Sequence, residues 1–412
     1  MTTPDEGKAW VRAVAVGNRI TLPATEQAFV AELERIVALG AEHLAPDRPN
    51  VLVLGEVLGL PAAFVGQRSL LARRASTAQT AMAEMAVALL PRLLRIRRIW
   101  PGISLPRTLL LASADTLYRP FAETLSRLAA QYHSHLVATT LAPEVRRSDD
   151  PREIARWGAR GAGSVYVPTG PEMYNAALIF GPDGALLERV NKVYLTSSER
   201  EMLDLTPGNL SDVRAIPTAA GRLGVAISLD AFTPDYLLRL DALGVEIVLQ
   251  PDANDQPWAA PSKTWEWQPA EWLNSVLGSI QPLYPHLRYN ICAMQTGNLF
   301  DITFDGQSSI TSRDAPATTK PGGAFVGVDG AIHTVTNTPL EGGFLAVAPW
   351  VMIDPAAVNP GLSLPQRRER LAALGRELLP GGGQANRYRE TVIWADIWAD
   401  IAASTVPLAT SS

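Results

Sequence analysis

Short apolar runs alternate with amphipathic stretches through the first third of the chain, and this alternation limits the available folds more than any bulk property does. Residues 11–20 (VRAVAVGNRI) read as a strand. Residues 26–44 place Phe29, Leu33, Ile36, Val37 and Leu44 at helical spacing before Pro46 and Pro49 end the pattern. Residues 51–54 (VLVL) are an apolar run bounded by proline and glycine, as a buried strand is, and they deliver Glu56 just past their end. The same rhythm predicts a strand over 108–111, a helix over 117–132 and a strand over 136–141, which makes the class α/β.

Residues 61–106, rich in Ala, Leu and Arg, read as a mostly helical insertion. Arg92, Arg95, Arg97 and Arg98 cluster near its end, as a solvated helix terminus or as a surface for a partner or anionic lipid. Further on, Gly-Pro-Asp-Gly at 181–184 lies between apolar runs 173–180 and 186–195, a strong hairpin signal. A strand over 222–228, a helix over 234–243 and strands over 246–250, 289–295 and 309–312 then predict a sheet of mixed pairing. The body is expected to span 1–352, followed by a helical extension over 353–412. That extension holds a charged helix at 365–379, Gly-Gly-Gly at 381–383, and a helix with Ile393, Ile397 and Ile401 on one stripe beside Trp394 and Trp398.

Composition then works by exclusion. At 412 residues and 47% apolar, the chain can bury a sizeable core. A net charge of −5 argues against nucleic acid as a partner, and the arginines within 78–100 argue against a bilayer span. No basic segment followed by an apolar one opens the chain, so the cytoplasm is the expected compartment. A single cysteine, Cys292 in YNICAMQ, excludes an internal disulfide and a Cys-rich zinc site and reads as a buried strand residue. The five histidines are scattered, and neither a dinucleotide fingerprint nor a Walker A loop nor His-Glu-x-x-His is present. No metal or cofactor is expected, and the expected partner is a small molecule.

Three polar residues close apolar runs: Glu56 after VLVLG, Lys192 in RVNKVYL and Ser228 in GVAISLDAF. A residue so placed projects into the crevice at a sheet edge, where active sites are built. Lys192 stands out further, because only four of the 36 basic residues are lysines. Trp258, Trp265, Trp267 and Trp272 fall in one short stretch and read either as an aromatic wall for an apolar or aryl substrate or as packing.

These segments together resemble the nitrilase, or carbon-nitrogen hydrolase, superfamily. The resemblance rests on Glu56 shortly before Gly59, Tyr174-Asn175 ahead of the Gly-Pro-Asp-Gly turn, NKVYLTSSEREMLDLTPG from Asn191, GRLGVAISLDAFTP from Gly221, and Gly306-Gln-Ser-Ser-Ile. It implies a four-layer αββα sandwich with mixed sheets and hydrolysis of an amide or nitrile without a cofactor. It also implies Glu56 as general base, Lys192 as the cation that stabilises the tetrahedral oxyanion, and Glu201 as an additional glutamate beside the lysine. Tyr174, Asn175 and Trp258 would border the substrate, and a homodimer or larger assembly is implied.

Ser228 occupies the position where the resemblance calls for cysteine. A thiol near pKa 8.5 lies about 4 units above a glutamate, a gap that neighbours can close, whereas an aliphatic hydroxyl is far more basic once ionised. Serine there is either a substitution made to trap substrate or the natural residue of an altered enzyme. A catalytically inactive binding protein and an acyl transferase remain the alternatives. Glu201 also has a purely structural reading, since Ser198-x-x-Glu201 is a capping-box pattern.

Overall fold

The computed structural model describes residues 8–158, 163–255, 258, 268–315, 324–326, 332–334, 340–349 and 388–401. The expected charged helix at 365–379 and the glycine run at 381–383 lie outside them. In chain order, the strands of the two large sheets are β1 (Lys8–Gly17), β2 (Asn50–Leu54), β3 (His135–Ala142), β4 (Tyr174–Phe180), β5 (Leu186–Asn191), β6 (Ile216–Thr218), β7 (Gly221–Val225), β8 (Ile247–Ala253), β9 (Tyr289–Gln295), β10 (Ser309–Ser312), β11 (Gly343–Val347) and β12 (Thr391–Asp400). One sheet has the order β12-β1-β2-β3-β4-β5 and the other β11-β10-β9-β8-β7-β6. Pairing is parallel for β1 with β2, β2 with β3, β7 with β8 and β8 with β9, and antiparallel elsewhere, so both sheets are mixed.

Strand alternation builds the layers. In β1, Val11, Ala13 and Ala15 face the other sheet and meet Val51, Val53, Ile247, Leu249 and Ile291, while Val14 and Val16 face outward. The helices relevant to the layers and the site are α1 (Glu26–Ala41), α2 (Ala78–Ala88), α3 (Leu90–Ile99), α4 (Leu105–Ala112), α5 (Ala114–Gln131) and α6 (Pro234–Ala242). Phe29, Leu33 and Ile36 of α1 and Phe121 and Leu125 of α5 cover the outer face of the first sheet. Tyr236, Leu237 and Leu240 of α6 cover Ala226 and Val248 of the second. The result is the expected αββα sandwich, each face buried because it is apolar.

Three expectations need correction. Residues 108–111 are not a strand but part of α4, whose first turn is capped by the Ser104 hydroxyl accepting the Arg107 N–H at 3.2 Å. A fully buried apolar run has no solvent face, so its period is unreadable, and the cap decides. The strand expected over 246–250 begins at Ile247 and runs through Pro251 to Ala253. Proline is tolerated there because pairing with β7 stops at Leu249, leaving that side of the strand without a ladder to break.

The segment containing WADIWADI is not a helix. It is β12, paired antiparallel with the whole of β1 from Lys8↔Asp400 to Gly17↔Thr391. Ala395, Ile397 and Ala399 are buried between the sheets, while Trp394 is 45% exposed. A repeat of four residues fits a helical period of 3.6 nearly as well as it fits two strand periods, so the pattern alone is ambiguous. The open edge of β1 resolves it, through ten paired residues and an Arg12–Asp396 ion pair at 2.8 Å.

Candidate active site

The sandwich brings Glu56 and Lys192 together at the strand ends. Glu56 follows β2, where Gly55 lets the chain pass close to the second sheet: a Cβ at Gly55 would lie 2.7 Å from the Gln295 backbone nitrogen. The Glu56 N–H then donates to the Asp252 carbonyl across the sheets at 3.2 Å. Val57, the next residue, adopts φ +53, an unusual conformation for a β-branched side chain, and is held by the Thr139 hydroxyl accepting its N–H at 2.6 Å. Lys192 follows β5, and its N–H donates to the Asn175 carbonyl on β4 at 2.8 Å.

The Lys192 ammonium is 1% exposed and donates to Glu56 Oε1 at 2.7 Å, with Glu199 Oε2 at 2.9 Å. Asn175 Nδ2 donates to Glu56 Oε1 at 2.7 Å and to Glu199 Oε1 at 2.8 Å, tying the two carboxylates to one amide. Burial would lower the lysine pKa, but attraction to Glu56 and Glu199 outweighs it and keeps the ammonium charged. For Glu56, burial and the nearby charges of Glu199 and Asp252 prevail over Lys192 and push the carboxyl up to about 8. Glu199 resolves the opposite way: burial is overcome by Lys192 and by hydrogen bonds from Asn175 and Thr196, holding it below the usual range.

Glu199 therefore stands where Glu201 was expected. Glu201 is exposed on the outside of the short helical turn Ser198–Met202, and no bond joins it to the lysine. The capping box is also present, two residues earlier: the Thr196 hydroxyl accepts the Glu199 N–H at 3.3 Å and Glu199 Oε2 accepts the Thr196 N–H at 2.9 Å. The same glutamate caps the turn and pairs with the lysine. Thr196-x-x-Glu199 was readable in the sequence beside the Ser198 pattern, and only burial separates the two.

Ser228 is buried at the start of a short helical turn with φ +44, a left-handed conformation rare for serine. The parallel register pairs Val225 with Leu249, and the Ala226 N–H donates to the Leu249 carbonyl at 3.0 Å. Past Val225 the chain leaves the strand and turns, which puts Ser228 near Asp252, where its hydroxyl favours the ionised carboxylate. Asp252 is buried, with Oδ2 accepting from Gln250 at 2.8 Å, and desolvation raises its pKa against those bonds. Asp230, two residues after the serine, accepts the Tyr194 N–H at 2.8 Å and the Val193 N–H at 3.1 Å, clamping the Ser228 turn to the Lys192 segment. Asp252 was not singled out from the sequence, although it closes an apolar strand in the same manner as Glu56.

Glu56, Lys192, Glu199 and Ala253 line a cavity of about 150 Å³ whose remaining wall is mostly apolar. Met82 and Met85 of α2, Leu109 of α4, Phe64, Leu203 and Phe300 contribute to it. Ser228, Tyr174, Asn175, Trp258 and Glu201 are not among the lining residues. Strand alternation sends Tyr174 away from Asn175, toward Arg189 at 5.9 Å, so it does not face the site. Asn175 positions carboxylates and does not meet the cavity. Trp258 is 3% exposed, donates to Gln307 at 3.2 Å and packs edge-on against Trp272, so it is a packing residue and no part of the cavity wall. Trp265 and Trp267 lie outside the described residues. Cys292 is fully buried in β9, with desolvation pushing its thiol well up and Sγ 4.0 Å from Asp252. Among the described residues, no cluster of three or more His, Cys, Asp or Glu is arranged to hold a metal ion, and no helix is long and apolar enough to cross a membrane.

An αββα sandwich carrying a buried lysine between two glutamates is the arrangement that the resemblance to carbon-nitrogen hydrolases implies. A family model described as carbon-nitrogen hydrolase matches residues 98–315, more than half of the chain, and the protein belongs to that family. Solved structures similar to it include a carbon-nitrogen hydrolase from Helicobacter pylori, with 14% identity over 74% of this chain and 82% of that one at a TM-score of 0.45. Saccharomyces cerevisiae Nit3, of the nitrilase superfamily, gives 16% identity over 74% and 82% at 0.43. An amidase from Nesterenkonia sp. gives 16% over 82% and 89% at 0.42. No curated protein sequence matches the chain.

Proposed function

We propose that the protein hydrolyses an amide through an acyl-Ser228 intermediate, with Lys192 facing the carbonyl oxygen and Asp252 taking the serine proton. The observation that carries this reading is the buried Glu56–Lys192–Glu199 set opening on the cavity. Two of the three ammonium N–H groups are engaged by Glu56 and Glu199, which leaves one for an oxyanion. In the first step the Ser228 O–H bond breaks, its proton goes to Asp252, Oγ bonds the carbonyl carbon and the carbonyl pair moves onto oxygen. The C–N bond then breaks, and the leaving amine takes a proton from Glu56, which holds one near neutral pH. Water then attacks the ester carbonyl, giving its proton to Glu56, and the C–Oγ bond breaks as Oγ takes back the proton held by Asp252, which releases the acid and restores all three groups. Glu56 thus acts as proton donor in acylation, a different role from the base that the resemblance implies. The serine's left-handed backbone and its place beside Asp252 support the nucleophile assignment.

Ser228 lies off the cavity lining, which favours a second reading in which the pocket binds without turnover. Intact mass after incubation with hexanamide separates the two. An acyl adduct is expected on the chain as it stands and is lost in Ser228→Ala, with Asp252→Asn slowing its formation at least a hundredfold. Absence of any adduct, in both this chain and Ser228→Cys, would sink the hydrolase reading and leave the binding one.

A further inference from the structure

The cavity assigns a substrate class, an inference that rests on the hydrolase reading above. We infer that the substrate is an uncharged amide whose acyl group is a flexible aliphatic or aryl unit of about six carbons, with no second ionised group. Size is the first observation. At about 150 Å³ the cavity matches an engineered protein cavity that accepts benzene. Chemistry is the second. Methionines 82 and 85, with their unbranched thioethers, suit a wall that closes on either a chain or a ring.

Charge is the third observation. Among the described residues, the ionisable groups lining the cavity are Glu56, which holds a proton near neutral pH, with Lys192, Glu199 and Asp255, so two carboxylates stand against one ammonium. That ammonium is already bonded to Glu56 at 2.7 Å and Glu199 at 2.9 Å. A substrate carboxylate would enter a space with no arginine on its wall among the described residues and a surplus of negative charge, and would be desolvated there without a partner. An apolar chain meets the opposite situation, because Leu109, Phe300 and Met85 are buried apolar side chains and Met82 is partly buried beside them.

The test is a chain-length series on the intact protein: acetamide, butyramide, hexanamide, benzamide and glutaric monoamide, followed by ammonia release, with binding of the same amides to Glu56→Gln measured by calorimetry. Each methylene up to six carbons is expected to raise kcat/KM about fourfold. Benzamide should react and glutaric monoamide should be at least a hundredfold poorer than hexanamide. In Leu109→Trp the preference for hexanamide over acetamide should collapse. Turnover that favours acetamide or glutaric monoamide overturns the substrate class and leaves the hydrolase reading standing. Tighter binding of hexanamide than of acetamide without any turnover keeps the cavity assignment and defeats the hydrolase reading. Neither turnover nor preferential binding overturns the inference.

Discussion

Replacing Glu56 by glutamine is expected to make the protein more stable as pH rises, while removing its activity. In the folded state burial and two neighbouring carboxylates raise the Glu56 carboxyl from 4.5 to about 8. In the unfolded chain it titrates at its ordinary value. Between those two pH values the folded state holds a proton that the unfolded state has released, so wild-type stability falls as pH rises through this window. At about 1.36 kcal/mol per pH unit, the accumulated penalty is about 5 kcal/mol by pH 9. Glutamine keeps the shape and an acceptor for Asn175 and Lys192 but cannot ionise. At pH 5 the two proteins should melt close together, since both then carry a neutral side chain at this position. At about 2.1 cal/mol/K of unfolding entropy per residue, 5 kcal/mol in a chain of this length corresponds to a Tm difference of about 6 °C in favour of Glu56→Gln at pH 9. Thermal melts from pH 5 to 9 read this directly. A Tm difference that stays flat with pH, or that favours wild type at pH 9, would refute the reasoning. The expected pattern is that of a site held at a cost to stability for its chemistry.

Two further outcomes check the placement of residues. Glu199→Gln should lower kcat/KM at least tenfold, because it removes one of the two carboxylates that hold Lys192, whereas Glu201→Gln should leave it within twofold; steady-state kinetics on the best amide decides between them. Ala399→Asp should cost about 3 kcal/mol or more in denaturant unfolding, since this fully buried side chain faces the core between the sheets. A helical stripe through Ile393, Ile397 and Ile401 would instead leave position 399 tolerant of the change.

Much of the candidate site was legible before the fold was known. Glu56, Lys192 and Ser228 each end an apolar run, and a strand buried on both faces can place a polar side chain only at its end. Asp252 obeys the same rule but sits one residue past a proline, which reads as a stop and concealed the last turn of the strand. Glu199 and Glu201 are two positions apart in a polar segment, and no local pattern says which one a folded neighbour will bury. The tryptophan cluster was equally mute, because a ring packed on Trp272 and a ring lining a pocket share one composition.

The sequence by itself determined the α/β class, the hairpin at 181–184, the helices α1 and α5 and the identity of the buried lysine, since these depend on spacing within a few residues. Only the tertiary structure decided that the last described segment is a strand, that 108–111 is helical, which glutamate pairs with Lys192 and that Ser228 stands beside Asp252. Each of those depends on what lies across a sheet edge or beneath a helix. Backbone pairing and desolvation act between residues far apart in the chain, and a local period carries no record of them.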